Sequence, residues 1–168
     1  MNNKIIKIIR GGKSAPMLLS NGDKYDSVLS VYDGVGKEIC NCQYVNTDFT
    51  VEYKGGILPE GIWKGIVGKW KKTKAIYLYN SKFDYCIKSL DSLEDKKFVT
   101  LPSLISNPNH NKQKIITCVM IHCGGITWDG SHGCITILPV NYQSFLDCFV
   151  ENEKVCVNII RDKRWIQP

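Results

Sequence analysis

The stretch Val119-Met120-Ile121-His122-Cys123-Gly124-Gly125-Ile126-Thr127-Trp128-Asp129-Gly130-Ser131-His132-Gly133-Cys134-Ile135-Thr136-Ile137 decides the reading of this chain. Two apolar runs rich in β-branched residues flank a short polar loop, which predicts strand, loop, strand. Alternation along the first strand puts Met120 and His122 on one face, with Ile121 and Cys123 on the other. Cys123 is therefore expected in the core, not beside His122. Cys134 begins the second strand, where a side chain can meet solvent, so His122 and Cys134 converge across neighbouring strand ends. A thiol attacks an acyl carbon as thiolate, and a nearby imidazole can take the proton. Glycine just before the thiol lets the backbone approach a substrate. The N–H groups of Gly133 and Cys134 are expected to face a developing oxyanion. The stretch thus carries the parts of a cysteine acyl-transfer site.

Working outward, residues 4–10 alternate and predict a first strand ended by Gly11-Gly12. Ser20-Asn21-Gly22-Asp23 is a hairpin signal. Further strands are expected over Tyr25 to Tyr32, Glu38 to Val45, Phe49 to Tyr53, Ile62 to Val67, Ala75 to Tyr79, Phe83 to Ile87 and Val155 to Ile160. Asp33-Gly34-Val35-Gly36 is a turn, and Leu90 to Lys97 holds one or two helical turns. Pro139 to Asn152 is the one long helical pattern: Tyr142, Phe145, Leu146 and Phe149 fall at i, i+3, i+4 and i+7. Asn141 is its candidate N-cap, so the helix is expected over about residues 141–152. The fold class that follows is mainly β, a sandwich or barrel with one main helix. The chain reads as a single domain over residues 1–168, without repeat or linker.

Apolar content of 43% and charged content of 23% are those of an ordinary globular protein. Twenty-two basic and 16 acidic residues give a net charge of +6, which suits an anionic polymer without demanding one. The run Lys69-Trp70-Lys71-Lys72-Thr73-Lys74 is read as a solvated hairpin tip in preference to a nucleic-acid grip, and no nucleic-acid partner is expected. His110 lies in a plain loop, Asn107 to Asn111, and is expected exposed and idle. No apolar run reaches the roughly 20 residues of a spanning helix. The N-terminus has no secretory core, so the expectation is a cytoplasmic chain or one exported by a route without a signal. The eight cysteines are expected mostly as reduced thiols. Cys118, Cys148 and Cys156 sit in apolar segments, and no Cys-x-x-Cys occurs. Nothing in the sequence sets an oligomeric state.

Ile121-His122, a following glycine, and Ser131-His132-Gly133-Cys134-Ile135 resemble the signature of the L,D-transpeptidase (YkuD-like) catalytic domain. Leu58-Pro59-Glu60-Gly61-Ile62-Trp63 resembles that family's Pro-x-Gly-aromatic turn, which enters a strand ahead of the active site. The catalytic-like core implied is about residues 58–160. Eight residues separate His122 from Ser131. This loop is shorter than is typical of the family and is similar to that of small phage- and mobile-element-associated proteins. Thr136 stands where the family usually carries arginine. The resemblance implies that Cys134 forms a thioester with a peptidoglycan stem peptide, with His122 as base and then acid, ending in transpeptidation or L,D-carboxypeptidase-like hydrolysis. It implies that Ser131 braces the loop and that a backbone carbonyl near Gly124 or Gly125 orients the imidazole. Trp128, Asp129 and His132, with Gly124 and Gly125, are the candidate substrate-binding residues. No cofactor and no metal is expected. Two rival classes stay open. One is a zinc site from His122, His132, Cys134 and Asp129, whose crowding in one loop is unlike usual zinc spacing. The other is a non-catalytic binding or structural module on the same fold.

Overall fold

The computed structural model describes residues 3–49, 54–79, 100–126, 131 and 133–168. The chain is mainly β. Twelve strands are described: β1 (Lys4–Arg10), β2 (Met17–Leu18), β3 (Lys24–Tyr25), β4 (Ser27–Tyr32), β5 (Glu38–Asn46), β6 (Gly61–Trp70), β7 (Thr73–Tyr79), β8 (Thr100–Pro102), β9 (Ile115–Thr117), β10 (Met120–Cys123), β11 (Ile135–Ile137) and β12 (Lys154–Arg161). Eight of them close a barrel in the order β1-β12-β6-β7-β10-β11-β5-β4, while β2-β3 and β8-β9 form separate hairpins. Closure leaves the barrel no unpaired edge. Two neighbouring pairs are parallel, β1 with β12 and β10 with β11.

The period-2 pattern sets the inner face. Ile6 and Ile8 on β1 align with Val157 and Ile159 on β12 and with Val31 and Leu29 on β4. Around the ring, Ile76 aligns with Val67 and Ile121, and Ile121 with Ile135. All of these are buried, and each such side chain contributes about 1.5–3 kcal/mol relative to exposure. The outer face of β7 and β10 is covered as well, since Tyr77, Met120 and His122 are also buried. A smaller apolar cluster of Leu19, Tyr25 and Leu138 packs outside the barrel.

The helix α1 runs from Pro139 to Leu146, shorter than the expected 141–152. It begins earlier because Pro139 fits the first helical position, where no N–H is needed. Leu138 precedes it without a side-chain cap, and Asn141 is not the N-cap. The carbonyl of its last residue is taken from outside the helix, where Lys74 Nζ donates to Leu146 O (2.9 Å); beyond the end the same ammonium reaches Phe149 O (2.8 Å) and Lys4 Nζ donates to Cys148 O (2.6 Å). The apolar stripe survives the shortening, for Tyr142, Phe145, Leu146 and Phe149 are all buried.

Three other expectations change. The strand expected over Tyr25 to Tyr32 is interrupted at Asp26, whose carbonyl accepts from Lys13 N–H and whose carboxylate accepts from Ser27. The strand expected over Ile62 to Val67 extends across Gly61–Trp70, and Trp63 donates its indole N–H to Pro59 O at the turn that enters it. His110 is not idle: it is half-buried, with Nε2 3.1 Å from Thr117 Oγ1. Phe83 to Ile87, Leu90 to Lys97, and Phe49 to Tyr53 beyond Phe49 itself lie outside the described residues. No helix among the described residues is long and apolar enough to cross a membrane.

At the barrel end opposite α1, the fully buried Arg10 binds Leu58 O (2.6 Å) and Thr47 Oγ1 (2.9 Å) and lies 4.8 Å from the Trp165 ring centre. Beside it, burial pushes the Asp48 carboxyl from its ordinary 3.8 up to about 6. Asp26 adds to the rise, and Arg10 and Lys24 oppose it. A carboxyl with a raised folded pKa favours the protonated fold. Its stabilising contribution is complete below about pH 4 and is lost as pH rises through 6. The gap amounts to about 3 kcal/mol. In Asp48→Asn, the fall in stability between pH 4 and 6.5, measured as urea midpoints, should shrink by that amount; an unchanged slope would refute this assignment.

Candidate active site

The site is built on the parallel pair β10 and β11. Ile121 aligns with Ile135, His122 with Thr136, and Cys123 with Ile137. Ile121 and Ile135 face the interior, so His122 and Thr136 share the outer face. Cys134 stands one position before β11, beside Met120. The Met120 N–H donates to Cys134 Sγ (3.4 Å), and Sγ–H donates to Cys118 O (3.4 Å). By alternation Cys134 lies on the His122 face, one strand over and two residues back. Strand spacing and rise put their Cα atoms about 8 Å apart, within reach of an imidazole. A thiolate would keep the first contact and lose the second, since it has no proton to donate.

His122 is buried, with Nδ1 2.9 Å from Cys123 O. A carbonyl only accepts, so Nδ1 carries the proton and Nε2 is the basic nitrogen of the neutral ring. Burial lowers its pKa below the ordinary histidine value. The Cys123 carbonyl opposes this and the charge of Lys71 adds to it. The ring is therefore neutral at pH 7, the form a general base needs. The carbonyl beside the imidazole is that of Cys123, next to Gly124. Gly125 O instead accepts from Tyr25 OH (2.7 Å), and Gly124 N–H donates to Ile137 O (2.8 Å). A Cβ on Gly124 would stand 2.2 Å from Tyr25 OH, so only glycine admits that tyrosine.

The loop before the thiol is fixed by Ser131. Its buried hydroxyl donates to Cys134 O (2.8 Å) and accepts from Gly133 N–H (3.0 Å). That second bond takes Gly133 N–H out of the pair of donors expected to face an oxyanion, because one N–H cannot serve both acceptors well. Gly133 has φ +123°, and a Cβ there would lie 2.4 Å from Gly56 O. Trp128, Asp129 and His132 lie outside the described residues, and with them two of the four ligands of the rival zinc site. Among the described residues, no group of three or more His, Cys, Asp or Glu is arranged to hold a metal ion.

The seven described cysteines are free thiols. Cys123 is partly buried against the core. Burial pushes its thiol up, and does the same to Cys42, to Cys156, and to Cys148, which reaches about 11. Two neighbours of His122 were not legible as site residues. Trp70 lies with its ring centre 4.6 Å from the imidazole, tilted by 50°. Thr136 is fully buried, and its hydroxyl has no hydrogen-bond partner among the described residues. The signal for Trp70 was present in the basic run, but nothing local said which face of the barrel it would cover. Comparison of the chain with protein families, curated proteins and solved structures finds no match.

Proposed function

We propose that the chain is a cysteine acyl-transfer enzyme of L,D-transpeptidase type, on a YkuD-like β-rich fold, acting on a peptide of the bacterial wall. The observation that supports it most is the contact of His122 Nδ1 with Cys123 O, which assigns the tautomer. Its Nδ1–H is spent on Cys123 O, which leaves Nε2 as the acceptor on the face that carries Cys134. In the reaction, Nε2 takes the Sγ proton and the thiolate attacks the peptide carbonyl. The tetrahedral intermediate collapses to a thioester as His122 returns the proton to the leaving amine. An incoming amine or water, deprotonated by the same nitrogen, then releases the acyl group and restores the thiol. Ser131 positions the thiol by tying Cys134 O to the loop.

Iodoacetamide at neutral pH, followed by peptide mass analysis, tests the reading. Cys134 should be alkylated about tenfold or more ahead of Cys42, Cys123, Cys148 and Cys156, whose thiolates burial disfavours. Muropeptides incubated with the chain should change in mass, and Cys134→Ala should end the change. A second reading, a non-catalytic binding or structural module, draws on the Sγ–H bond to Cys118 O, which holds the thiol in its unreactive form. It expects Cys134 to react no faster than the other thiols.

A further inference from the structure

The basic hairpin between β6 and β7 has no part in the chemistry above, yet it adjoins the site. β6 ends at Trp70 and β7 begins at Thr73, so Lys71 and Lys72 alone make the turn. Both have positive φ, +47° and +67°. A two-residue turn of this kind favours Asn, Asp or Gly, so lysine is strained at both positions. Strain of this sort is retained where something other than local preference holds the residue. The Trp70 indole joins the turn to the site: its ring centre lies 4.6 Å from the His122 ring and 4.5 Å from Lys71 Nζ. Two other lysines of the run are committed elsewhere. Lys69 Nζ pairs with Glu151 (2.8 Å), and Lys74 Nζ caps α1. That leaves two ammonium groups at the tip, too few to track a polyanion backbone but enough to meet one small anion.

We propose that this tip is an anion-binding wall of the candidate site. Lys71 pairs with a carboxylate carried by the acyl donor, and the Trp70 ring sets its distance from His122. The inference rests on the proposed cysteine chemistry and names the charge class of its substrate. No bond to Lys71 is made or broken; the contact is an ion pair over an aromatic face.

Two alkylating agents of nearly equal size, anionic iodoacetate and neutral iodoacetamide, test it on the full chain at low ionic strength. The readout is the ratio of their rates at Cys134, which cancels any change common to both. Lys71→Asn removes the charge with a residue that accepts positive φ, and Lys71→Asp reverses it. The iodoacetate-to-iodoacetamide ratio should fall about twofold to fivefold in Lys71→Asn. It should fall further in Lys71→Asp, and fall in the native chain as salt is raised. Equal ratios in all three proteins, with iodoacetamide still reacting at Cys134, would overturn this inference alone. Silence of Cys134 toward both reagents would overturn the cysteine reading and this one with it. Protection of Cys134 by a single-stranded oligonucleotide, lost in Lys71→Asn, would replace the carboxylate by a nucleic acid and overturn the proposal.

Discussion

Peptide turnover should fall by about 10²–10⁴-fold in His122→Gln, the range a lost general base commands. Glutamine matches the size of the imidazole and sets its amide where Nε2 stands, so the barrel should stand while the proton shuttle is gone. The pH profile separates this from a packing effect. Burial and the Lys71 charge hold the His122 pKa below the ordinary 6.5, so at any given pH less of the ring is protonated than in a free histidine. The acid limb of the native rate profile should therefore lie below pH 6.5, and His122→Gln should lack it. Stability carries the same sign. A histidine with a depressed folded pKa contributes stability that is present above its unfolded value and lost as pH falls through its folded one. The native chain should lose stability on acidification through this range, and the variant should lose less. A variant that keeps its rate within tenfold, or an acid limb lying above 6.5, would remove His122 from the mechanism.

The stretch Val119 to Ile137 was legible as strand, loop, strand because β-branched runs and a glycine-rich loop are local signals. So were β1, β5 and β12, whose alternation extends over several residues, and β7, a short apolar and aromatic run buried on both faces. β8 and β9 were not, since three residues carry too little period, and Pro102 argues against a strand. The helix was read with the right stripe and the wrong end. Lys74, far away in the chain, takes the carbonyl of its last residue, a contact that the helix's own residues do not announce. At the site, facing and alternation placed His122 and Cys134 on one side of the sheet. The parallel pairing of β10 and β11 was not legible, because the eleven residues between them suit a long hairpin loop as well as a crossover. Nor was the diversion of Gly133 N–H to Ser131 Oγ, although a serine two residues before an N–H is a familiar local partner. Trp70 above the imidazole needed the β6–β7 register, which belongs to the tertiary structure.

Alanine at Gly133 should destabilise the fold by about 4 kcal/mol, from backbone strain of about 1–3 kcal/mol and overpacking of similar size. The first part comes from φ +123°, a region L side chains rarely enter. The second comes from a Cβ set 2.4 Å from Gly56 O and 2.5 Å from Ile116 Cδ1. A carbonyl of the main chain cannot swing aside as a side chain can, so either the loop or the segment at Gly56 must shift. The loop is tied by Ser131 Oγ to Gly133 N–H and to Cys134 O, and a shift there strains both bonds. Its displacement would carry Cys134 Sγ away from Met120 N–H, and the labelling advantage of Cys134 should vanish in whatever protein stays folded. Gly36→Ala is the matched control. It has φ +88° but nothing within 4 Å of its added Cβ, so only the strain remains, about 1–2 kcal/mol. Urea unfolding of the two variants side by side isolates the clash. Equal losses would mean that Gly133 is there for its dihedral alone, and that the thiol does not depend on the close approach of the backbone at Gly56.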